Sequence, residues 1–111
     1  MGANFSRANL QGADFRYSQL VATRLHEANL QYCKLQNADL TGARLRHADL
    51  REAVIVDAIL TGSKWEETLV DGMVMDMVQF DYLQNQPVDL SRVHVVGTSS
   101  SRSLVSSFNQ V

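Results

Sequence analysis

Every fifth residue from Phe5 to Phe80 is apolar: Phe5, Leu10, Phe15, Leu20, Leu25, Leu30, Leu35, Leu40, Leu45, Leu50, Ile55, Leu60, Trp65, Val70, Met75 and Phe80. The chain as a whole is only 45% hydrophobic, so composition does not produce this run. Two residues before each large position stands a small one, Ala, Ser, Thr or Cys without exception from Ala3 to Thr68. The remaining three positions of each five are mostly polar. The pattern is one repeat, and it predicts one repeating element.

A period of five suits neither regular structure. In a helix, residues five apart step by about 140° around the axis and form no stripe. In a straight strand an odd period sends alternate residues to opposite faces. All sixteen large residues can be buried together only if the chain bends once per repeat. With bends of about 90°, four repeats close a square coil of about twenty residues, and stacked coils pair their backbones about 4.8 Å apart. Each side then points one large and one small residue inward. Gly12, Gly42, Gly62 and Gly72, with Asn37, fall two residues after a large position. That is where a type II bend requires positive φ.

The units Ala8-Asn9-Leu10, Ala13-Asp14-Phe15, Ala28-Asn29-Leu30, Ala38-Asp39-Leu40 and Ala48-Asp49-Leu50 carry this pattern most clearly. In them the chain resembles the pentapeptide-repeat family, whose pattern is Ala-Asp/Asn-Leu followed by two variable residues. The resemblance covers about the first 80 residues. It implies an all-β fold, a right-handed quadrilateral parallel β-helix, here of about four coils.

The pattern degrades toward the C-terminus. Met73 and Val78 occupy small positions, so the coil from 63 to 82 is expected to be swollen. Asn85 takes a large position, and Pro87 follows. Val88-Asp89-Leu90 and Val93 to Gly97 return to phase. The predicted organisation is a β-helix over residues 1–82, an irregular partial coil or cap over 83–97, and a Ser-rich flexible tail over 98–111.

Twenty residues per coil lets the outward positions be read as columns. Arg24, Arg44 and Lys64 fall in one column, with Arg46, His26 and His47 beside it. These six residues are the candidate surface for an acidic partner, although Glu27, Glu66 and Glu67 are near enough to neutralise them. Elsewhere Val54, Val56, Ile59, Val74 and Met77 take outward phases, forming an apolar cluster where water is expected. Residues 88–96 are the natural cover for it; left bare, the cluster is a docking site for another chain.

Composition narrows the functional classes. The 111 residues fit one domain. The net charge of −2 marks neither a nucleic-acid binder nor an acidic polymer mimic. Charge is uneven along the chain, with an excess of cations through residue 55 and of acids from 56 to 90, an arrangement that favours end-to-end stacking or simply keeps the ends soluble; a bare end would open the rod to edge self-association. No apolar run spans a membrane and no signal-peptide core opens the chain, so a cytoplasmic location is expected. Cys33, the single cysteine, sits at a small inward position and is expected to be a buried, inert thiol. His26, His47 and His94 share no ligand spacing with Cys33 or with a carboxylate cluster. No catalytic, cofactor or metal site is predicted, and no enzyme.

Two functions remain. The first is a non-catalytic interaction scaffold that presents its side-chain columns to a protein partner, with no nucleic acid and no membrane. The second follows from the resemblance, since some members of that family protect DNA gyrase by mimicking duplex DNA. Mimicry requires a strongly negative rod, which a net charge of −2 and a basic column do not supply.

Overall fold

The computed structural model describes residues 2–97. The twenty-residue coil is visible in the backbone pairing. Eleven isolated parallel bridges join each outward residue to the one twenty positions later, from Asn4 with Arg24 to Val54 with Val74. Regular bonds connect the coils, such as Phe5 N–H to Arg24 C=O at 2.8 Å and Arg24 N–H to Ala3 C=O at 2.8 Å. The chain forms a β-helical solenoid.

The corners explain the polar positions. In steps of five from Gly2 to Gly72, the second turn residue has φ between 54° and 75°. Ten of these residues are not glycine, among them Tyr17, Tyr32, Glu52 and Asp57. An L-residue in this region costs about 1–2 kcal/mol. Each turn recovers hydrogen bonds in return: Ala8 N–H reaches Phe5 C=O at 3.0 Å, and Arg7 N–H reaches His26 C=O at 2.8 Å. The Asn or Asp before the large residue adds a third. Side-chain oxygens of Asn4, Asn9, Asp14, Asn29, Asp39 and Asp49 accept from the N–H two residues on, at 3.0–3.3 Å. These residues face outward because they hold the corner.

Inside, the large and small residues fill alternate sites. Leu40, Leu45, Leu50 and Ile55 are fully buried, as are Ala38, Ala43, Ala48 and Ala53. Polar inward residues find partners within the core: Trp65 Nε1 donates to Ser63 Oγ at 2.8 Å, and that hydroxyl donates to Leu60 C=O at 2.6 Å. At the N-terminal end Phe5, Leu10 and Phe15 are half-buried, since no coil lies below them among the described residues.

The predicted fourth coil is not carried to residue 82. It runs through strand β1 (Val74–Asp76) and then turns into helix α1 (Met77–Leu83). The all-β expectation therefore needs this seven-residue helix added, and the 82/83 boundary falls inside its last turn. The inward and outward roles also exchange. Val78, expected inside, is 78% exposed, while Gln79, expected outside, is 2% exposed. Met73 already fills its small site and is fully buried. Asp76 and Gln79 supply the local reason for the helix: Asp76 Oδ1 accepts from Gln79 N–H at 3.0 Å and Gln79 Oε1 from Asp76 N–H at 2.9 Å, a reciprocal N-terminal cap.

The same two side chains splice the helix onto the coil. Continued regularly, the ladder would pair Asp57 N–H with the carbonyl of residue 76, and Ala58 C=O with the N–H of residue 79. Instead Asp76 Oδ2 accepts from Asp57 N–H at 2.8 Å, and Gln79 Nε2 donates to Ala58 C=O at 3.0 Å. Gln79 Nε2 also donates to Ile55 C=O. Beyond α1 the chain returns to the rod. Strand β2 (His94–Val96) pairs in parallel with β1, His94 beside Val74 and Val96 beside Asp76. Val95 enters the core, with Val88, Leu90 and Val93 packed against it. This segment closes the end of the rod instead of folding down its side over Val54 and Val74. The twenty-residue register aligns His94 with that column as its next rung. The predicted tail, 98–111, lies outside the described residues.

Candidate functional site

Cation stacking on one side of the rod is direct. Arg24 bridges to Arg44 and Arg44 to Lys64, so three cationic residues occupy successive rungs. All three are exposed. One column away each glutamate meets the residue one rung below: Arg7 Nε lies 3.0 Å from Glu27 Oε1, and His47 Nε2 lies 3.0 Å from Glu67 Oε1. Two of the acids expected to relieve the basic column are therefore engaged by neighbours in their own column. Among the described residues no carboxylate pairs with Arg24, Arg44, Arg46 or Lys64. His26 and Arg46 share a shallow groove of about 320 Å³ with Glu27 and His47. All six predicted residues thus come together on one side.

Like charges one rung apart repel by somewhat under about 1 kcal/mol per pair in water. The strain is small, and an anion seated across the rungs removes it. Two other arginines are instead neutralised within their own corner. Arg16 donates to Asp14 through Nε at 2.9 Å and Nη2 at 2.7 Å, and Arg51 does the same to Asp49 at 2.9 and 2.6 Å. The Arg16 guanidinium and its backbone N–H hold the Asp14 carboxyl down at about 2. Asp49 is also lowered, burial pushing it up but the bonds from Arg51 outweighing that. The Thr41 hydroxyl and N–H lower Asp39.

The apolar cluster divides. Val54 and Val74 are adjacent rungs of one column, and they and Val56 are half-buried. Met77 opens α1 and packs against the core. Ile59, on the next side, is 49% exposed and lines a pocket of about 340 Å³ with Leu60, Val78, Gln79 and Tyr82. The five-residue pattern gave no sign of this pocket, because it forms where the chain leaves that pattern. A signal existed nonetheless: Asp76-Met77-Val78-Gln79 matches the acid-x-x-Gln start of a helix.

Cys33 is fully buried, its Sγ 3.0 Å from Leu10 C=O, and burial pushes the thiol up. Among the described residues no three His, Cys, Asp or Glu side chains gather as a metal site. No helix among them is long and apolar enough to cross a membrane.

Residues 2–26 and 23–62 match the family model for pentapeptide repeats, in eight copies. Among solved structures, a pentapeptide repeat protein from the cyanobacterium Cyanothece 51142 is 32% identical over 61% of this chain, with a TM-score of 0.42. The chain spans half the length of that protein, the match covering 50% of it. HetL, a pentapeptide repeat protein involved in heterocyst differentiation regulation in Nostoc sp. strain PCC 7120, is 21% identical over 85% of this chain and 56% of its own, with a TM-score of 0.36. A trypsin-treated variant of QnrB1, a plasmid-mediated fluoroquinolone resistance protein, is 17% identical over 97% of this chain and 71% of its own, with a TM-score of 0.45. No curated protein sequence matches the chain.

Proposed function

Because this chain belongs to the pentapeptide-repeat family, we propose that it is a non-catalytic scaffold whose basic column docks an acidic segment of a protein partner. The rod in this reading is right-handed and four-sided, with about four coils that hold the column straight. The observation that carries it is the stack of Arg24, Arg44 and Lys64 with no carboxylate partner among the described residues. Rungs of a parallel ladder lie about 4.8 Å apart, so a row of carboxylates laid along the axis meets one cation per rung. Arg46 and the two histidines widen the contact on one flank. Gyrase protection by duplex mimicry calls for carboxylates along the rod; this side presents cations instead.

The test is a capped, fluorescently labelled octaglutamate peptide titrated with the protein and read by anisotropy. Binding is expected at low salt and should weaken steeply between 50 and 200 mM salt, roughly in proportion to the number of ion pairs formed. Replacing Arg24, Arg44 and Lys64 together by Glu should weaken it at least about tenfold, with an unchanged circular dichroism spectrum. Equal binding by the triple variant would refute the proposal.

A further inference from the structure

We propose that the side of the rod between Asp57 and Gly62 accepts an extended segment of another polypeptide as an added parallel strand. One coil lower, this side carries a complete ladder: Leu40 N–H donates to Ile59 C=O at 2.8 Å and Gly42 N–H to Thr61 C=O at 2.8 Å. The corresponding donors one coil higher are Leu60 and Gly62. Among the described residues neither N–H has an acceptor, because α1 occupies the stretch of chain that would have formed the next rung. Elsewhere on this rim the chain returns: β2 pairs with β1, and the corners at Glu67 and Gly72 are closed by Pro87 C=O at 3.1 Å and Arg92 C=O at 2.8 Å.

What this edge lacks defines its occupant. Ala58 C=O is already taken by Gln79 Nε2. The edge therefore asks only for two acceptors two residues apart, which a parallel strand presents as alternate carbonyls. An apolar small molecule leaves both N–H groups unpaired. A second copy of the rod cannot seat a whole coil here, since returning chain already lies over β1 and over the corners at Glu67 and Gly72. A single strand can. Its side chains would lie in the pocket beside the edge, against Ile59 and Val78, the latter 78% exposed. Exposed Asp57 lines the same pocket, and residues 56–90 hold one lysine against seven acidic residues. The segment that fits is extended, aliphatic at alternate positions and basic at its ends.

The probe is the capped peptide Lys-Val-Thr-Val-Lys, added at millimolar concentration to the isotope-labelled full chain while amide hydrogen exchange is followed by NMR. Exchange at Leu60 and Gly62 is expected to slow at least about fivefold, with Leu40 and Gly42 unchanged. Val78→Arg, an exposed substitution that fills the pocket, should abolish the slowing without altering the fold. The inference is overturned if the peptide leaves both amides unchanged, or if it protects them equally in the Val78→Arg protein. It is also overturned if both amides are as protected as Leu40 and Gly42 without peptide, whether in the monomer or in a dimer seen by sedimentation.

Discussion

Replacing Gln79 by Glu tests whether two side chains splice the helix to the coil. Gln79 Nε2 donates to the carbonyls of Ile55 and Ala58, in a site where the residue is 2% exposed. A carboxylate there turns a donor into an anion facing two carbonyl oxygens, with the Asp76 carboxylate on the neighbouring turn. One oxygen keeps the Asp76 N–H as its donor, but the other faces only carbonyl oxygens, and a buried charge left so poorly compensated costs about 3–5 kcal/mol. One pKa unit corresponds to about 1.36 kcal/mol, so folding should raise this carboxyl by about 2–4 units above its usual 4.3. The sign then follows. A raised folded-state pKa means that stability is lowest at high pH and recovers as pH falls through that pKa, because the protonated acid can donate to one carbonyl. For a domain of this size the loss at pH 8 should lower Tm by roughly 12–25 °C, with much of it regained near pH 5. Solenoids store stability repeat by repeat, so the loss should also show as faster amide exchange in α1 than in the coils around Leu40. Gln79→Ala removes the donor without adding a charge, and its deficit should not depend on pH in this way. A Gln79→Glu protein with the parent's melting curve at pH 8, or with a deficit that does not shrink on acidification, would refute the splice.

Packing and pH supply the remaining expectations. Leu45→Ala should cost about 2–5 kcal/mol through the cavity left at a fully buried site, and Ala48→Leu about 1–3 kcal/mol or more by overpacking its small neighbour; thermal melts should show both, with Arg46→Ala nearly silent. The parent protein should lose stability on acidification: Asp14, Asp39 and Asp49 are all lowered on folding, so their contribution is complete above the unfolded value near 4 and disappears as pH falls toward the folded value, about 2 for Asp14. Asp14→Asn, which keeps a side-chain acceptor at the corner but no charge for Arg16, should flatten part of that acid dependence in a melting series.

The large and small inward residues, the twenty-residue register and the stacking of Arg24, Arg44 and Lys64 were legible in the sequence for one physical reason. In this repeat each residue's environment depends on its phase, and phase is a local property that can be counted. Even the corners obey it, since Tyr17 and Glu52 take the same positive φ as Gly12 and Gly42. Tertiary structure decided what phase could not express. Gln79 is buried because its side chain substitutes for a backbone rung to Ala58, 21 residues earlier, and Asp76 does the same for Asp57, 19 residues earlier. That exchange lifts α1, exposes Val78 and opens the edge at Leu60 and Gly62. Among the described residues the cations of the basic column stay without a carboxylate partner for a similar reason, since Glu27 went to Arg7 and Glu67 to His47. A count of five identifies where a side chain points, but the partner it finds there depends on the coils above and below.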